Sequence, residues 1–439
     1  MTTATINQEN SSNNSVLLPM FIIGGLFFMF GFVTWLNGSL IPFLQIACEL
    51  NHTQAYLVTL VFYIAYTLMA LPAARVLEKT GYKTGIVIGL FVMAIGALIF
   101  IPAAQTKLYS VFLVALFILG SGLTLLQTAT NPFIVLIGRR ETAAVRISIM
   151  GILNKSAGVI APLVFTAWVL ADMDQFTPEK IALLSEVDKH AQLQELSERL
   201  IFPYLLMAVS LVILAAFIKF SPLPEPNINE QNDTASSNKS IKDFPHLILG
   251  VVTLFLYVGA EVVAGDTIGL YGKEMGVQNF AQLTSYTMAF MVVAYVLGMV
   301  LIPKYISQET ALKASALLGM IFTMLIILSS TTDASIWNSL FFWLDIPALP
   351  NSVLFVALLG FSNALVWPAV WPMALKDLGS YTAKGSAWLI MGISGGAIIP
   401  VIYGVLADSI DSQLAYAVMF PCYAFIAYFA IWGHKKAKL

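Results

Sequence analysis

The chain has 439 residues, of which 59% are hydrophobic and only 10% are charged. Ordinary soluble domains carry about 25% charged residues, so this composition excludes a water-soluble globular protein. The formal net charge of -2 argues against a nucleic-acid partner, because such a protein needs a basic face. Residues 1–16 are polar and are predicted to form a free tail.

Twelve apolar segments follow this tail. A bilayer core about 30 Å thick requires about 20 apolar residues per helix, and segments of that length are the primary signal. The predicted spans, numbered 1 to 12, are 17–45, 55–74, 84–103, 109–138, 147–171, 200–219, 246–271, 281–303, 311–331, 351–375, 385–407 and 413–433. Residues 336–349 form either a short interfacial helix or a loop. The sequence therefore predicts an all-α membrane protein, with the lipid bilayer as its first partner.

Basic residues in the connections predict the orientation of these spans. With the N-terminus inside, sixteen Lys and Arg residues fall on the inner side, whereas five fall on the outer side. The five outer residues are Lys107, Lys180, Lys189, Arg199 and Lys273. We therefore expect both termini in the cytoplasm.

Two long polar connections interrupt the series of spans. Residues 172–198 are predicted to form a solvated outer helix or loop. Residues 221–244 are rich in Pro, Asn and Ser, which is typical of a flexible linker, and they are placed in the cytoplasm. This linker divides the chain into a six-helix bundle at 17–220 and a second at 245–433, with a short tail at 434–439.

The two halves also repeat a local pattern. Ile149-Met150-Gly151-Ile152 in the first half matches Ile390-Met391-Gly392-Ile393 in the second, and each follows a proline by about twenty residues. One unit placed twice with parallel topology explains this repeat. Two six-helix halves of this kind are the architecture of the major facilitator transporters, whose substrate site lies between the halves near the bilayer midplane.

Three ionisable residues, Lys155, Glu261 and Asp266, fall inside the predicted spans. Such residues cost several kcal/mol each in a bilayer and usually mark a pathway. Two acids and one base leave one negative charge, which a co-transported H+ or Na+ can neutralise. We therefore predict that these residues couple a cation to transport. The alternative is a plain ion pair between two helices, with Asp266 hydrated at the outer mouth, although Lys155 and Glu261 are expected at different depths.

Neutral polar and aromatic side chains in the spans predict a hydroxyl-rich ligand. Carboxamides offer donors and acceptors to sugar hydroxyls, and indole rings can stack on a pyranose. The residues predicted to bind sugar are Asn37, Gln127, Asn131, Asn154, Asn363, Trp367 and Trp388. The alternative is that the amides join helices and that the tryptophans mark the membrane interfaces.

Enzymatic motifs are weak in this chain. Gly392-Ile393-Ser394-Gly395 matches a serine motif of intramembrane proteases, but the four histidines fall in loops or at span edges, away from any serine. No phosphate-binding loop is present that would indicate an ATP-driven pump. We expect no enzymatic activity, no cofactor and no metal site apart from Na+ at Asp266 or Glu261.

Several motifs in order resemble the fucose:proton symporter family of the major facilitator superfamily, over about residues 18–430. The motifs are Leu36-Asn37 with Leu40-Ile41-Pro42, Gln127-Thr128-Ala129-Thr130-Asn131-Pro132-Phe133, Tyr257-Val258-Gly259-Ala260-Glu261, and Gly392 to Pro400 with Gly404 and Asp408. The loop from Ala74 to Lys83 resembles a degraded form of the superfamily's cytoplasmic signature, which implies a gate at Glu78, Lys79 and Lys83.

Within that family, two segments resemble most the N-acetylglucosamine permease branch, and the glucose/galactose permease branch comes next. The segments are Trp35-Leu36-Asn37-Gly38-Ser39-Leu40 and Gly151-Ile152-Leu153-Asn154-Lys155. The resemblance implies a twelve-helix symporter, expected as a monomer in a bacterial inner membrane, that takes up a hexose or amino-hexose with H+ or Na+ by alternating access. A sugar sensor that uses this fold without transport is the alternative from another class.

The chain departs from the family at two positions. Fucose symporters carry an aspartate where Gly38 stands and a glutamate where Gln127 stands. Because both carboxylates are missing here, we expect the coupling role to lie at span 7 instead.

Overall fold

A computed structural model describes residues 2–136, 143–169, 180, 184–223, 243–302, 304–343, 346–378 and 382–436. Within these residues, twelve helical segments are long and apolar enough to cross a membrane. They coincide with the twelve predicted spans, and their ends differ from the predicted ends by a few residues in most cases. Large apolar side chains such as Phe21, Phe202 and Phe217 are exposed on the outside of the protein, as lipid-facing residues should be.

Several spans consist of more than one helix. The first six spans contain the helices Thr2–Trp35 and Asn37–Ala47, His52–Ala55 and Leu57–Thr80, Tyr82–Thr106, Tyr109–Leu136, Ala143–Val169, and Glu186–Glu198 with Ile201–Phe220. The last six contain Pro245–Asp266 and Ile268–Glu274, Leu283–Leu301, Gln308–Leu328, Asn351–Asn363 and Val366–Ala374, Thr382–Met391 and Gly395–Ser409, and Met419–Ile431. A further short helix, Ser335–Leu340, lies between spans 9 and 10.

Three predicted connections can be compared with the structure. The helix of span 1 begins at Thr2, while its membrane-spanning segment begins at Leu17, so the tail at 1–16 stays a prediction. No proline precedes Pro19, so no residue with a fixed backbone angle interrupts the helix before that point. The described part of 172–198 contains the helix Glu186–Glu198, and 336–349 begins with a short helix. Most of the predicted linker, residues 224–242, lies outside the described residues, as do residues 170–179.

The first span of each half is interrupted near its middle or end. Leu36 separates the two helices of span 1, and Thr267 separates the two helices of span 7. The two interruptions are close in space. A Cβ atom on Gly38 would lie 2.9 Å from the carbonyl oxygen of Gly265, and one on Gly269 would lie 3.0 Å from that of Gly38. Glycine at these positions therefore lets the backbones of spans 1 and 7 pack directly on each other.

The halves are joined at the end opposite the termini, which we call the closed end. An even number of spans places both termini at the other end, which we call the terminal end. At the closed end, His52 Nδ1 lies 2.7 Å from Asp408 Oδ1, and the backbone N–H of Thr53 donates to Asp408 Oδ2 over 2.8 Å. His52 also pairs with Glu274. We call His52, Glu274 and Asp408 the latch, because it links span 2 to spans 7 and 11.

Candidate functional site

A cavity of about 130 Å³ lies between the two halves. Its wall is formed by spans 1, 2, 4 and 5 of the first half and by spans 7, 8, 10 and 11 of the second, which are equivalent positions in a repeated six-helix unit. The lining extends to Ile134, Ile147 and Trp371, which lie near the terminal end of their helices. Because a water molecule takes about 30 Å³ in the liquid, the volume corresponds to about four waters.

An ion pair occupies the wall of this cavity. Lys155 Nζ lies 2.6 Å from Glu261 Oε1, and each side chain is only 9% exposed. The same ammonium lies 4.2 Å from the centre of the Trp35 ring, within cation–π distance. The Tyr257 hydroxyl donates to Glu261 over 3.0 Å. The cavity therefore contains a charged but internally neutral centre that joins spans 1, 5 and 7.

Lys155 and Glu261 are therefore in contact, although different depths in the membrane were expected for them. Small residues allow this contact. A Cβ atom on Gly158 would lie 2.7 Å from the Trp35 ring, and one on Gly265 would lie 2.5 Å from it. Spans 5 and 7 therefore approach the two sides of Trp35 closely, and the long lysine side chain covers the remaining distance.

Amide side chains provide the neutral polar part of the wall. The Gln127 amide donates to the Tyr66 hydroxyl over 2.8 Å. Asn154 accepts a hydrogen bond from Trp35 Nε1 over 3.2 Å. The Asn131 Nδ2 group is buried and has no hydrogen-bond partner among the described residues, so its donors remain for a ligand.

Aromatic rings line the side of the cavity that belongs to the second half. The Trp367 ring lies 5.5 Å from that of Trp371 and 6.4 Å from that of Tyr257, measured between centroids. These rings come from spans 7 and 10 and face the amides of spans 4 and 5 across the cavity. A solute in the cavity would therefore meet both hydrogen-bonding groups and aromatic rings.

The structure brings together six of the residues predicted to act in transport. Lining the cavity are Gln127, Asn131, Asn154, Lys155, Glu261 and Trp367. Asn37, Asn363 and Trp388 are not part of the wall. Asn363 is fully buried and accepts a hydrogen bond from Tyr423 over 2.9 Å, while Asn37 is 2% exposed. For these three, the structure gives no support to direct contact with a solute in this cavity.

Four tyrosines and two tryptophans in the wall were not among the predicted site residues. They are Tyr63, Tyr66, Tyr257, Tyr295, Trp35 and Trp371. Spacing offered a signal for one of them, because Tyr257 precedes Glu261 by four residues and therefore shares its helix face.

Asp266 lies behind the cavity wall and is buried. Its exposed fraction is 0%, and neither carboxyl oxygen has a hydrogen-bond partner among the described residues. The alternative of a hydrated carboxylate at an outer mouth is therefore wrong for this conformation. The second helix of span 1, in the other half, packs against the neighbouring residue, where Gly38 approaches the carbonyl oxygen of Gly265.

The predicted gate residues lie in the connection between spans 2 and 3. Glu78 and Lys79 are exposed. Lys83 Nζ donates to the backbone oxygen of Ser221, at the end of span 6, over 2.6 Å. Gly81 has φ of 79°, a conformation that favours glycine, so the turn itself is well defined. The role of these charged residues as a gate stays a prediction.

A half-buried lysine adds a contact between the halves near the closed end. Lys273 Nζ donates to Gln45 Oε1 over 3.0 Å. No group of three or more His, Cys, Asp or Glu side chains is placed to hold a metal ion within the described ranges.

Two bundles of six helices that enclose a polar cavity define a membrane transporter. The chain belongs to the Major Facilitator Superfamily, since the model of that family matches residues 23–400.

Three known proteins illustrate the similarity. The glucose/galactose transporter of Brucella abortus biovar 1 (strain 9-941) is 34% identical, over 98% of this chain and 98% of its own. The L-fucose-proton symporter of Escherichia coli (strain K12) is 26% identical, over 98% of this chain and 97% of its own. The crystal structure of the transporter FucP in the outward conformation has a TM-score of 0.72 and 25% identity, over 95% of this chain and 99% of that chain.

Proposed function

We propose that this protein is a symporter that takes up a hexose or amino-hexose together with H+ or Na+. The observation that carries the proposal is the cavity between the halves, whose wall combines amides, aromatic rings and the Lys155–Glu261 pair. A hexose is neutral, flat on its apolar face and rich in hydroxyls. Such a wall can satisfy those hydroxyls and cover the ring without presenting an unpaired charge.

Each side of the cavity has its own role in this proposal. Gln127, Asn131 and Asn154 bind hydroxyl groups, and Trp367 stacks against the sugar ring. Glu261 accepts a hydroxyl hydrogen bond while Lys155 keeps it neutralised. The same groups would bind the N-acetyl group of an amino-hexose through amide hydrogen bonds.

The relatives support a monosaccharide as the substrate and add further candidate monosaccharides. The most similar relative reported above is named a glucose/galactose transporter, which favours glucose or galactose as a second candidate beside N-acetylglucosamine. The relative named an L-fucose-proton symporter supports coupling to a cation.

The seal at the closed end indicates which conformational steps uptake requires. With both termini in the cytoplasm, as the basic residues predict, the cavity extends toward the cytoplasm and the latch seals the outside. Uptake then requires the latch to open, sugar and cation to enter, and the halves to rock about the same site. We place the protein in a bacterial inner membrane.

Uptake into proteoliposomes tests this function. Purified protein is assayed with labelled N-acetylglucosamine, glucose, galactose and fucose, under separately imposed pH and Na+ gradients. We expect one of these sugars to accumulate above its external concentration. Trp367→Phe should weaken uptake. The matched control Trp168→Phe should not, because Trp168 lies on the outside of the protein and is 51% exposed. Absence of accumulation for every sugar under both gradients would refute the proposal.

A further inference from the structure

Asp266, if ionised, places an uncompensated negative charge in the membrane core. The Lys155 ammonium, the base whose field reaches Asp266, is already paired with Glu261 at 2.6 Å. That pair is neutral as a unit. An ionised Asp266 would therefore add a net negative charge at a fully buried position with no hydrogen bond to either oxygen in the described structure. Such a charge is strongly unfavourable, so the carboxyl must be neutralised.

A proton fits this position better than a metal cation does. A hard cation would need several oxygen ligands arranged around the carboxylate. Among the described residues, no group of three or more His, Cys, Asp or Glu side chains is placed to hold a metal ion, and Asp266 does not line the cavity. A proton needs no ligand shell and no empty volume.

The position of Asp266 ties its burial to the conformation of the protein. It is the last residue of the helix Pro245–Asp266, at the interruption of span 7. Span 1 of the other half covers this interruption, where Gly38 faces the carbonyl oxygen of Gly265. Because the cover belongs to the opposite half, separation of the halves at the closed end would expose the carboxyl to water.

Titratable groups face Asp266 from two directions. Glu261 and Lys155 lie on the cavity side, and the tyrosines of span 2, Tyr56 and Tyr63, interact electrostatically with Asp266 from the other half. Tyr63 lines the cavity, whereas the Tyr56 ring packs at 5.6 Å against that of Tyr403 toward the closed end. The Tyr56 hydroxyl is buried and lacks a partner among the described residues. Asp266 thus lies between the seal of the closed end and the cavity.

We propose that Asp266 is the proton-binding residue of the symporter and that Glu261 is not. A proton from outside water bonds to the carboxylate while the closed end is open. The neutral carboxyl can then be buried, so the halves close. After the sugar has left, the O–H bond breaks and the proton passes to water in the cavity by way of Tyr63, which interacts with Asp266 and lines the cavity. This inference rests on the proposed sugar transport, which it makes proton-coupled.

Asp266→Asn mimics the protonated carboxyl and separates exchange from coupling. In proteoliposomes, the variant should retain counterflow of labelled sugar within about twofold of the unmodified protein. Accumulation driven by an imposed pH gradient should fall at least tenfold. The control Glu186→Gln, an exposed acid, should keep both activities. Wild-type accumulation in Asp266→Asn, loss of its counterflow, or accumulation driven by Na+ alone would each overturn the proposal.

A second measurement needs no sugar and keeps the inference distinct from the proposed function. Spin labels at Leu108→Cys and Ile410→Cys, both exposed residues of opposite halves, report separation at the closed end in a background without Cys48 and Cys422. As pH rises, the unmodified protein should populate longer distances, while Asp266→Asn should stay at the short distance. Equal pH responses would overturn the proposal. If no hexose shows counterflow but the responses differ, the sugar assignment fails and the switch at Asp266 stands.

Discussion

Removal of Lys155 alone should damage the protein more than removal of Lys155 and Glu261 together. Lys155→Met leaves the Glu261 carboxylate 9% exposed, with the Tyr257 hydroxyl at 3.0 Å as its remaining partner in the described wall. The double variant Lys155→Met/Glu261→Gln removes both charges and keeps the side-chain volumes similar. The ion pair at 2.6 Å predicts strong coupling between the two positions.

The size of the effect follows from burial. Loss of one partner of a buried ion pair costs about 3–5 kcal/mol, mainly because the other charge is left without compensation. Loss of the cation–π contact with Trp35, at 4.2 Å, contributes about 1–2 kcal/mol to that change. The double variant loses this contact too but leaves no bare charge. We therefore expect Lys155→Met alone to be about 2–3 kcal/mol less stable than the double variant.

The assay is a double-mutant cycle in the free energy of unfolding, measured by reversible denaturation in mixed detergent at neutral pH. Lys313→Met is a matched control, because Lys313 pairs with Glu309 at the same 2.6 Å distance but is 41% exposed. It should change stability little, since exposed pairs are screened by solvent. Additive effects of Lys155→Met and Glu261→Gln would refute the view that the two residues form one neutral unit.

Three further substitutions have defined outcomes. Gly38→Ala inserts a methyl group 2.9 Å from the Gly265 carbonyl oxygen and should block closure of the halves. Sugar binding should persist, while transport should fall at least tenfold. The control Gly25→Ala, whose methyl group meets nothing within 4 Å, should have no effect. Tyr66→Phe removes the hydroxyl that positions Gln127 and should weaken sugar binding about fivefold, or about 1 kcal/mol, in equilibrium binding. Asp408→Asn weakens the latch and should increase the long-distance population between spin labels placed across the closed end.

Each of these outcomes has a clear contrary result. Normal transport by the Gly38 variant would mean that spans 1 and 7 do not need to approach closely. Unchanged affinity in the Tyr66 variant would remove Gln127 from the site. An unchanged distance distribution in the Asp408 variant would mean that the latch does not stabilise the closed end.

Much of the architecture was predictable because a bilayer imposes long apolar segments. The spans and the parallel repeat follow from hydropathy and from Gly151 and Gly392 at equivalent positions. The helix at the N-terminus was not predictable from its polar composition, since polar residues outside a membrane are compatible with helix or coil.

The site was predictable in its chemistry and less so in its geometry. Gln127, Asn131, Asn154 and Trp367 line the cavity as predicted, because polar groups in a membrane span need partners or water. The sequence placed Lys155 and Glu261 at different depths because position along a helix gives no information on tilt or on packing around Trp35.

Asn363 and Asp266 show a second limit of the same kind. Both lie within spans, yet Asn363 accepts a hydrogen bond from Tyr423 and Asp266 is fully buried outside the cavity wall. Whether a polar residue faces a cavity or a neighbouring helix depends on contacts between spans distant in sequence. A single sequence does not reveal those contacts.

Proton movement that accompanies sugar entry tests the central claim most directly. Proteoliposomes are prepared with equal pH on both sides and no Na+, and the external pH is recorded after glucose, galactose or N-acetylglucosamine is added. We expect the transported sugar to make the external medium more alkaline, and Asp266→Asn to abolish this change while sugar still equilibrates. Sugar entry without any pH change in the unmodified protein would contradict the account.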